Sequence, residues 1–221
     1  MEVLMLVAVA IIAYFLINGQ SSKDNDKQIK NTLIANQNKL YAYLRSKEIY
    51  DCKKYISNDY QNGIVFDEKN NEILFISKKF TNDDGTFEYN YNKYKANQVF
   101  QSEIIVDDKS IYKTQRGSQL LGAAVGGFAL GGIGAIIGGL SGNKTKETKV
   151  RSIQLKVSIA DTSSPSYKVK FLSNVDPYTG QIDKNGYSTD SSKVKAALNH
   201  IERWQGIMDI IIKQQNKVAN G

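Results

Sequence analysis

The sequence predicts an α+β protein in which a strongly bent β-sandwich or open barrel is closed by a C-terminal amphipathic helix. Short segments in which apolar and polar residues alternate between turn residues indicate the strands. A long terminal segment with apolar residues at helical spacing indicates the closing helix. Two uncharged runs, at residues 3–17 and 119–142, predict an N-terminal membrane helix and a glycine-rich helical hairpin inserted in the β-domain.

The length allows one sizeable domain or two small ones and favours a single core with appendages, and the charge pattern disfavours nucleic-acid binding. The 221 residues carry a formal net charge of +7, but the lysines are scattered among acidic residues, as on a solvated face. No predicted helix combines a basic stripe with interleaved aromatic residues, so we expect no nucleic-acid partner.

The content of reactive side chains disfavours an enzyme. Cys52 is the only cysteine, which excludes an intrachain disulfide and fits a reducing compartment. His200 is the only histidine, so we expect neither a zinc cluster nor a Ser-His-Asp relay. The sequence also contains no phosphate-binding loop and no nucleophile elbow, and the expectation is a protein without cofactor, metal or catalytic residues.

Residues 1–18 are predicted to form an N-terminal transmembrane anchor. The apolar run is about 25 Å long as a helix, just enough to span a hydrocarbon core. The first basic residues, Lys23, Lys27 and Lys30, follow the run, which places the N-terminus outside and the rest of the chain in the cytoplasm. A signal sequence is the alternative and predicts a mature start near Gln20.

Residues 24–47 are predicted to form a helical stalk, or a lid on the domain that follows. Asp26 can cap this helix at its N-terminus. Apolar residues recur at helical spacing, at Ile29, Leu33, Leu40 and Leu44. A loosely packed linker and a surface that binds a partner are alternatives that the pattern leaves open.

The first strands are indicated by a change from helical to alternating periodicity. A short strand closes with Tyr55 and Ile56, and Gly63–Phe66 is expected to pair with Glu72–Ile76 across a turn at Asp67–Asn71. A further strand is indicated by the alternating aromatic residues after the turn Asn82–Gly85, namely Phe87, Tyr89 and Tyr91.

A second hairpin is predicted between Val99–Val106 and Ser110–Thr114, around the turn Asp107–Lys109. The two adjacent aspartates have the side chains of metal ligands, but the chemistry of a tight turn accounts for them without a metal. Two more strands, Ile153–Ile159 and Tyr167–Phe171, are indicated by alternation after the glycine-rich run.

A polar loop over residues 173–189 separates the last predicted strand from a helix that begins at Asp190. Its acidic residues lack the spacing and the closing glutamate of a calcium loop, so turns explain them better. The helix carries one apolar face, formed by Val194, Leu198, Ile201, Trp204, Met208, Ile211 and Ile212. Trp204 is therefore expected to be a core residue.

The order of these segments resembles a group of uncharacterised bacterial and phage proteins. The similar segments are NGIVFDEKNNEILFI, FQSEIIVDDKSIYKT, the glycine run and SIQLKVSIADTSSPSYKVKFL, within residues 48–216. In that group a pleckstrin-homology-like, or short-C-terminal-domain-associated, module carries a glycine-zipper insertion between two strands. The resemblance implies a pleckstrin-homology-like domain over residues 48–217 with an insertion at 117–142, and it brings no catalytic residues.

The glycine run carries the predicted site of membrane contact or helix packing. Small residues four apart make flat stripes on which another helix can lie close. The residues concerned are Gly122, Gly126, Gly127, Gly131, Gly134, Gly138, Gly139 and Gly142. If the strands on both sides belong to one domain, the run must return to the side from which it left, which favours a re-entrant or interfacial hairpin over a second span.

Two functions follow from these segments. The first is a non-enzymatic, membrane-tethered binding or scaffold protein, with the membrane and either a protein or lipid headgroups as partners. The alternative is a membrane-active protein that forms homo-oligomers through its glycine stripes, as a pore-like factor or as a phage exclusion or immunity factor. The expected location is the cell membrane, with a single span and most of the chain in the cytoplasm.

Overall fold

A computed structural model of the protein describes residues 27–49, 52–117, 149–175 and 182–219. Helix α1 covers residues 27–46, and helix α2 is Ser192–Ala219. A 3-10 turn occupies Ala96–Gln98. The strands are β1 (Lys53–Ile56), β2 (Asn62–Asp67), β3 (Glu72–Thr81), β4 (Phe87–Lys95), β5 (Val99–Val106), β6 (Lys109–Gln115), β7 (Lys149–Val150), β8 (Ser152–Ile159), β9 (Ser166–Ser173) and β10 (Tyr187–Ser188).

The first sheet is an antiparallel meander in the order β1-β2-β3-β4. The predicted hairpin of β2 and β3 is confirmed, with Asp67 opposite Glu72 at its closed end. The Asp67 carboxylate accepts the backbone N–H of Asn70 at 3.1 Å, and Asn71 has a φ of 52°, so turn residues close the hairpin. The turn before β4 is also confirmed, and Gly85 supplies the positive φ of 82° that it needs.

The second sheet has the order β6-β5-β8-β9 and contains the second predicted hairpin, β5 with β6. Asp107 and Asp108 have φ values of 47° and 66°, as a tight hairpin turn requires. The Asp107 carboxylate also accepts the backbone N–H groups of Arg151 at 2.9 Å and Ser152 at 2.8 Å. These bonds tie the turn to the start of β8 and support the turn interpretation of this aspartate pair.

Strand β5 lies between β6 and β8 in the second sheet, and both neighbours run antiparallel to it. The expectation that the strands before and after the glycine run belong to one β-domain is therefore confirmed. Gln115 at the end of β6 lies opposite Gln101, near the start of β5, whereas Ile153 in β8 lies opposite Val106 at its other end. The connection through the glycine run thus joins opposite ends of the sheet.

The main core lies between the two sheets and helix α2. Side chains from the inner faces of both sheets, such as Phe75 and Leu155, pack with the apolar stripe of α2. Trp204 is only 2% exposed in this stripe, which confirms its prediction as a core residue. Alternation along β8 explains the arrangement, because Leu155 and Val157 face the core while Lys156 faces outward.

Helix α1 covers the other face of the first sheet. Leu40 is fully buried and Leu44 is 2% exposed against a second apolar cluster that includes Leu74 and Phe87. Asn36, also fully buried, accepts the backbone N–H of Phe87 at 2.6 Å. The helix therefore lies on the sheet as a lid rather than projecting as a stalk. The first sheet is the middle layer, so Ile73–Ile76 of β3 are buried on both of its faces.

The polar segment after β9 has more regular structure than its composition predicts. Tyr187 and Ser188 of β10 pair with β7, and Val175 forms an isolated bridge with Ile182. This pairing was missed because two-residue strands carry no periodicity. The mixed α+β fold with a C-terminal helix is confirmed. The predicted N-terminal anchor at residues 1–18 lies outside the described residues, and so does the insertion predicted at 117–142 apart from Gly117.

Candidate functional site: a cleft between the two sheets

A cleft of about 900 Å³ opens where the edge strands of the two sheets meet. Its walls come from β1, from β9, from the segment that joins β9 to α2, and from the first turns of α2. Strand β1 is the edge of the first sheet and β9 is the edge of the second, so the cleft is the seam between them. Clefts of this size at the junction of structural layers are the usual places where ligands bind.

Side chains of the first sheet close the bottom of the cleft by bonding the backbone of β9. The Tyr55 hydroxyl donates to the Lys170 carbonyl oxygen at 3.2 Å, and the Lys170 N–H donates to Asn62 Oδ1 at 3.0 Å. The Tyr55 ring stacks on Phe171, with centroids 4.1 Å apart, and lies 5.3 Å from the His200 ring. These contacts satisfy the free edge of β9 at Lys170 and hold the two sheets together.

Tyr55 is a hydrogen-bond donor in this position and is unsuited to act as a base. Burial raises the pKa of Tyr55, and the negative charge of Asp59 adds to the shift. The phenol therefore stays neutral at physiological pH. Its role in the cleft is to position β9 and to offer an aromatic wall.

The rim of the cleft carries more available positive than negative charge. The ammonium groups of Lys54 and Lys193 lie over the rings of Tyr41 and Tyr187, at 5.4 Å and 4.8 Å from the ring centroids. The acids on the rim are engaged by their own loops. Asp59 Oδ1 accepts the N–H of Gln61 at 3.0 Å, and Asp183 Oδ1 accepts the N–H of Asn185 at 2.9 Å.

The chemistry that these groups offer is recognition of an anionic or amphipathic ligand. Ser57 is the residue of the cleft lining whose hydroxyl lies beside an acid. Its Oγ is 2.5 Å from Asp59 Oδ1 and 3.0 Å from the Asn62 carbonyl oxygen, both within the same loop. Within residues 27–49, 52–117, 149–175 and 182–219, no group of three His, Cys, Asp or Glu side chains could hold a metal ion. Aromatic walls with a few charged groups at the rim are typical of ligand-binding clefts.

A buried polar network lies beside the root of the glycine-rich insertion. Asp209 on α2 accepts hydrogen bonds from Tyr112 at 3.0 Å, from Thr114 at 2.6 Å and from Gln205 at 2.8 Å. Gln205 also donates to Ser102 on β5 at 2.8 Å. The sequence did not predict this network, because Gln205 and Asp209 fit the polar side of an amphipathic helix. Their spacing of four residues, which places them side by side on the helix, was the one indication of it in the sequence.

Hydrogen bonds and strand pairing hold the two roots of the insertion. The Arg116 guanidinium donates to the carbonyl oxygens of Asn97 at 2.6 Å and Val99 at 2.7 Å, and Gly117 follows with a φ of 77°. At the other root, Lys149 pairs with Ser188. The eight predicted glycine positions, Gly122, Gly126, Gly127, Gly131, Gly134, Gly138, Gly139 and Gly142, lie outside the described residues.

Comparison with known proteins agrees with the order of strands, insertion and closing helix. Residues 53–173 match the family described as "Glycine zipper containing PH domain". The chain belongs to this family. Membership confirms the resemblance to pleckstrin-homology-like proteins with a glycine zipper, and the two sheets with a C-terminal helix fit a pleckstrin-homology-like fold.

Two relatives of this glycine-zipper PH protein come from the same phage lineage. An "Immunity protein" of Bacillus phage SPbeta is 35% identical over 164 residues, which cover 73% of this chain and 75% of the relative. The "SPbeta prophage-derived uncharacterized membrane protein YomJ" of Bacillus subtilis strain 168 is also 35% identical over 164 residues, covering 73% of this chain and 66% of that protein. No solved structure shows a significant match.

One of these two relatives, from Bacillus subtilis, is named a membrane protein. Among the residues that the structure describes, no helix combines the length and the apolar character needed to cross a bilayer. The two segments predicted to meet the membrane, residues 1–18 and the glycine run, fall outside the described ranges.

Proposed function

We propose that this glycine-zipper PH protein is a non-enzymatic immunity protein that is tethered to the cell membrane and protects its host against phage. The observation that carries the proposal is the 35% identity to the SPbeta immunity protein, which extends over 75% of that relative. The similarity of equal strength to a prophage membrane protein supports the same cellular location.

The domain contributes to immunity by binding rather than by catalysis in this proposal. The cleft between β1 and β9 supports it, because lysines and aromatic rings line a cleft of about 900 Å³ while its acids and its Ser57 hydroxyl are held within their own loops. A target with an acidic or amphipathic surface fits these walls.

The tethering follows from the two apolar segments of the sequence. Residues 1–18 anchor the chain with its N-terminus outside, and the glycine run enters the bilayer from the cytoplasmic side and returns. The sheet topology supports a return to the same side, since β6 and β8 lie in one sheet. The two roots lie at opposite ends of β5, about 20 Å apart at the usual rise of a strand.

The direct test is a phage challenge of a susceptible Bacillus strain that expresses the full-length protein. The proposal predicts a fall in plating efficiency relative to a strain with an empty vector, at equal cell viability. The cleft is tested by Lys193→Gln, with Lys195→Gln as the matched control because Lys195 is exposed on the same helix but does not line the cleft. Normal plating despite full membrane levels of the unaltered protein would refute an immunity role.

A second candidate function, a membrane-active oligomer, is favoured by the glycine stripes alone. Replacement of Gly134 and Gly138 by leucine would remove one stripe, whereas Ile133→Leu with Ile137→Leu keeps the same spacing and leaves every glycine in place. Loss of both oligomer and membrane permeability in the first variant only would favour the pore-like function. Intact permeability in both variants, with immunity retained, would count against it.

A further inference from the structure

The outer face of the second sheet is built from the outward-facing residues of β6, β5, β8 and β9, and no other described strand or helix packs on it. Its inward partners are identified by burial: Ile104, Leu155 and Val157 are fully buried in the main core. Side chains alternate along a strand, so the residues next to these face outward. Of the described helices, α1 packs on the first sheet and α2 packs within the main core, so neither covers this face.

The strand register aligns charged residues in a row across this face. Glu103 on β5 lies opposite Lys113 on β6 and opposite Lys156 on β8, and Lys156 in turn lies opposite Lys168 on β9. No bulge interrupts the register at these positions. With strands about 4.8 Å apart, the row extends about 15 Å across the sheet.

The row is basic because one carboxylate faces several lysines. Lys156 lies 3.7 Å from the Glu103 carboxylate, whereas in the described chain the ammonium groups of Lys113, Lys168 and Lys170 have no carboxylate within ion-pair distance. In the first sheet, by contrast, lysines on a neighbouring strand form ion pairs. There a single acid, Glu72, pairs with Lys95 directly opposite it on β4 at 2.9 Å and with Lys93 on the diagonal at 3.0 Å.

The β9 edge of the face adds apolar surface to the charge. Lys168 and Lys170 line a depression of about 250 Å³ together with Lys78, Val175 and one acid, Asp59, whose carboxylate accepts the N–H of Gln61 in its own loop. Val175 is 41% exposed, and its bridge partner Ile182 is 62% exposed. Exposed aliphatic side chains beside unpaired lysines are the combination that partitions into the interface of an anionic bilayer.

Chain connectivity brings the same face to the membrane. Strand β6, which supplies Lys113, leads within four residues to Gly117, after which the described chain stops and the uncharged glycine run follows. We propose that the outer face of the second sheet, with Lys113, Lys156, Lys168 and Lys170, docks on the anionic leaflet of the bilayer that the glycine run enters. This inference rests on the proposed membrane tethering.

The expected strength follows from the number of charges. Each lysine near an anionic surface contributes about a fivefold increase in the partition coefficient, and the effect weakens with salt. Replacing Lys113, Lys156 and Lys170 by glutamine should therefore reduce docking by about two orders of magnitude. The matched controls are Lys195 and Lys213, which are exposed on α2, away from this face.

The test uses the full-length protein with its cysteine removed by Cys52→Ser, reconstituted in phosphatidylcholine vesicles with and without phosphatidylserine. An environment-sensitive thiol probe is attached at Lys168→Cys or, as control, at Lys195→Cys. Docking predicts that phosphatidylserine shields the probe at 168 from an aqueous quencher, that high salt or the triple glutamine variant removes the shielding, and that the probe at 195 stays accessible throughout.

Two results would overturn the docking face. Equal quenching at both positions in phosphatidylserine vesicles would show that the face does not meet lipid. Shielding at 168 of the same extent in phosphatidylcholine alone would show that a protein segment, from this chain or from a second copy, covers the face instead. Neither result depends on phage plating, so a failure of the immunity proposal is recognised separately.

Discussion

Removal of the Asp209 carboxylate should detach the C-terminal helix from the strand that leads into the glycine insertion. In Asp209→Ala, three donors lose their acceptor: the Tyr112 hydroxyl, the Thr114 hydroxyl and the Gln205 amide. Tyr112 is half-buried and can turn to water, but Thr114 is fully buried and Gln205 is 3% exposed. Gln205 keeps its hydrogen bond to Ser102, but its other amide hydrogen and the Thr114 hydroxyl lose their acceptor. Each such unpaired buried donor hydrogen costs about 1–3 kcal/mol, so the free energy of unfolding should fall by about 2–6 kcal/mol.

The matched variant is Asp209→Asn, which keeps the side-chain shape and an oxygen able to accept from Thr114 and Gln205. It loses the charge assistance of these bonds and should lower the free energy of unfolding by about 1–2 kcal/mol. The assay is denaturant unfolding of the full-length protein in detergent, followed by the fluorescence of Trp204, the only tryptophan, which is 2% exposed against the same core. Equal losses in the two variants, or a loss below about 1 kcal/mol for alanine, would refute the account of the network.

Three further measurements test the layers of the fold. Leu40→Ala should lower the free energy of unfolding by about 2–5 kcal/mol. Amide hydrogen exchange should become faster in α1 while the amides of α2 stay protected, and an equal loss of protection in both helices would contradict the lid arrangement. Gly63→Ala places a β-carbon 2.9 Å from the Tyr55 carbonyl oxygen, so thermal unfolding should shift to lower temperature. Burial and the hydrogen bond with Tyr167 raise the pKa of Tyr94. The free energy of unfolding should therefore fall as the pH rises above about 10, where the unfolded chain loses the Tyr94 proton first, and it should fall less steeply in Tyr94→Phe. Equal dependence of the free energy of unfolding on pH in the two proteins would contradict this.

The hairpins and the closing helix were predictable because their causes are local. Alternation along β2 and β3 identifies both strands, and turn residues such as Asn71 and Gly85 supply the positive φ values that close the reversals. The apolar stripe of α2 likewise needs only the helical period. The short strands β7 and β10 were not predicted, because two residues show no periodicity and each pairs with a residue 37 or 39 positions away in the chain.

The cleft could not be predicted from local patterns. Tyr55 reads as an ordinary strand residue, and its bond to the Lys170 backbone joins positions 115 residues apart. The acids of the rim, Asp59 and Asp183, read as loop residues in the sequence, and their hydrogen bonds within the loops explain why the rim is positive. Which charges remain available is a property of geometry, because an acid that accepts backbone N–H groups has fewer free sites for a ligand.

For the glycine run, the sequence predicts the kind of contact that it makes, whereas the tertiary structure decides where its two ends lie. Its uncharged composition and its small residues four apart already predict contact with a membrane or another helix, because these properties need no tertiary context. Strand order places its two roots at opposite ends of β5, and strand register collects Lys113, Lys156 and Lys168 on one open face. These arrangements depend on which strands become neighbours, and that choice is made by burial of the common core rather than by any local segment.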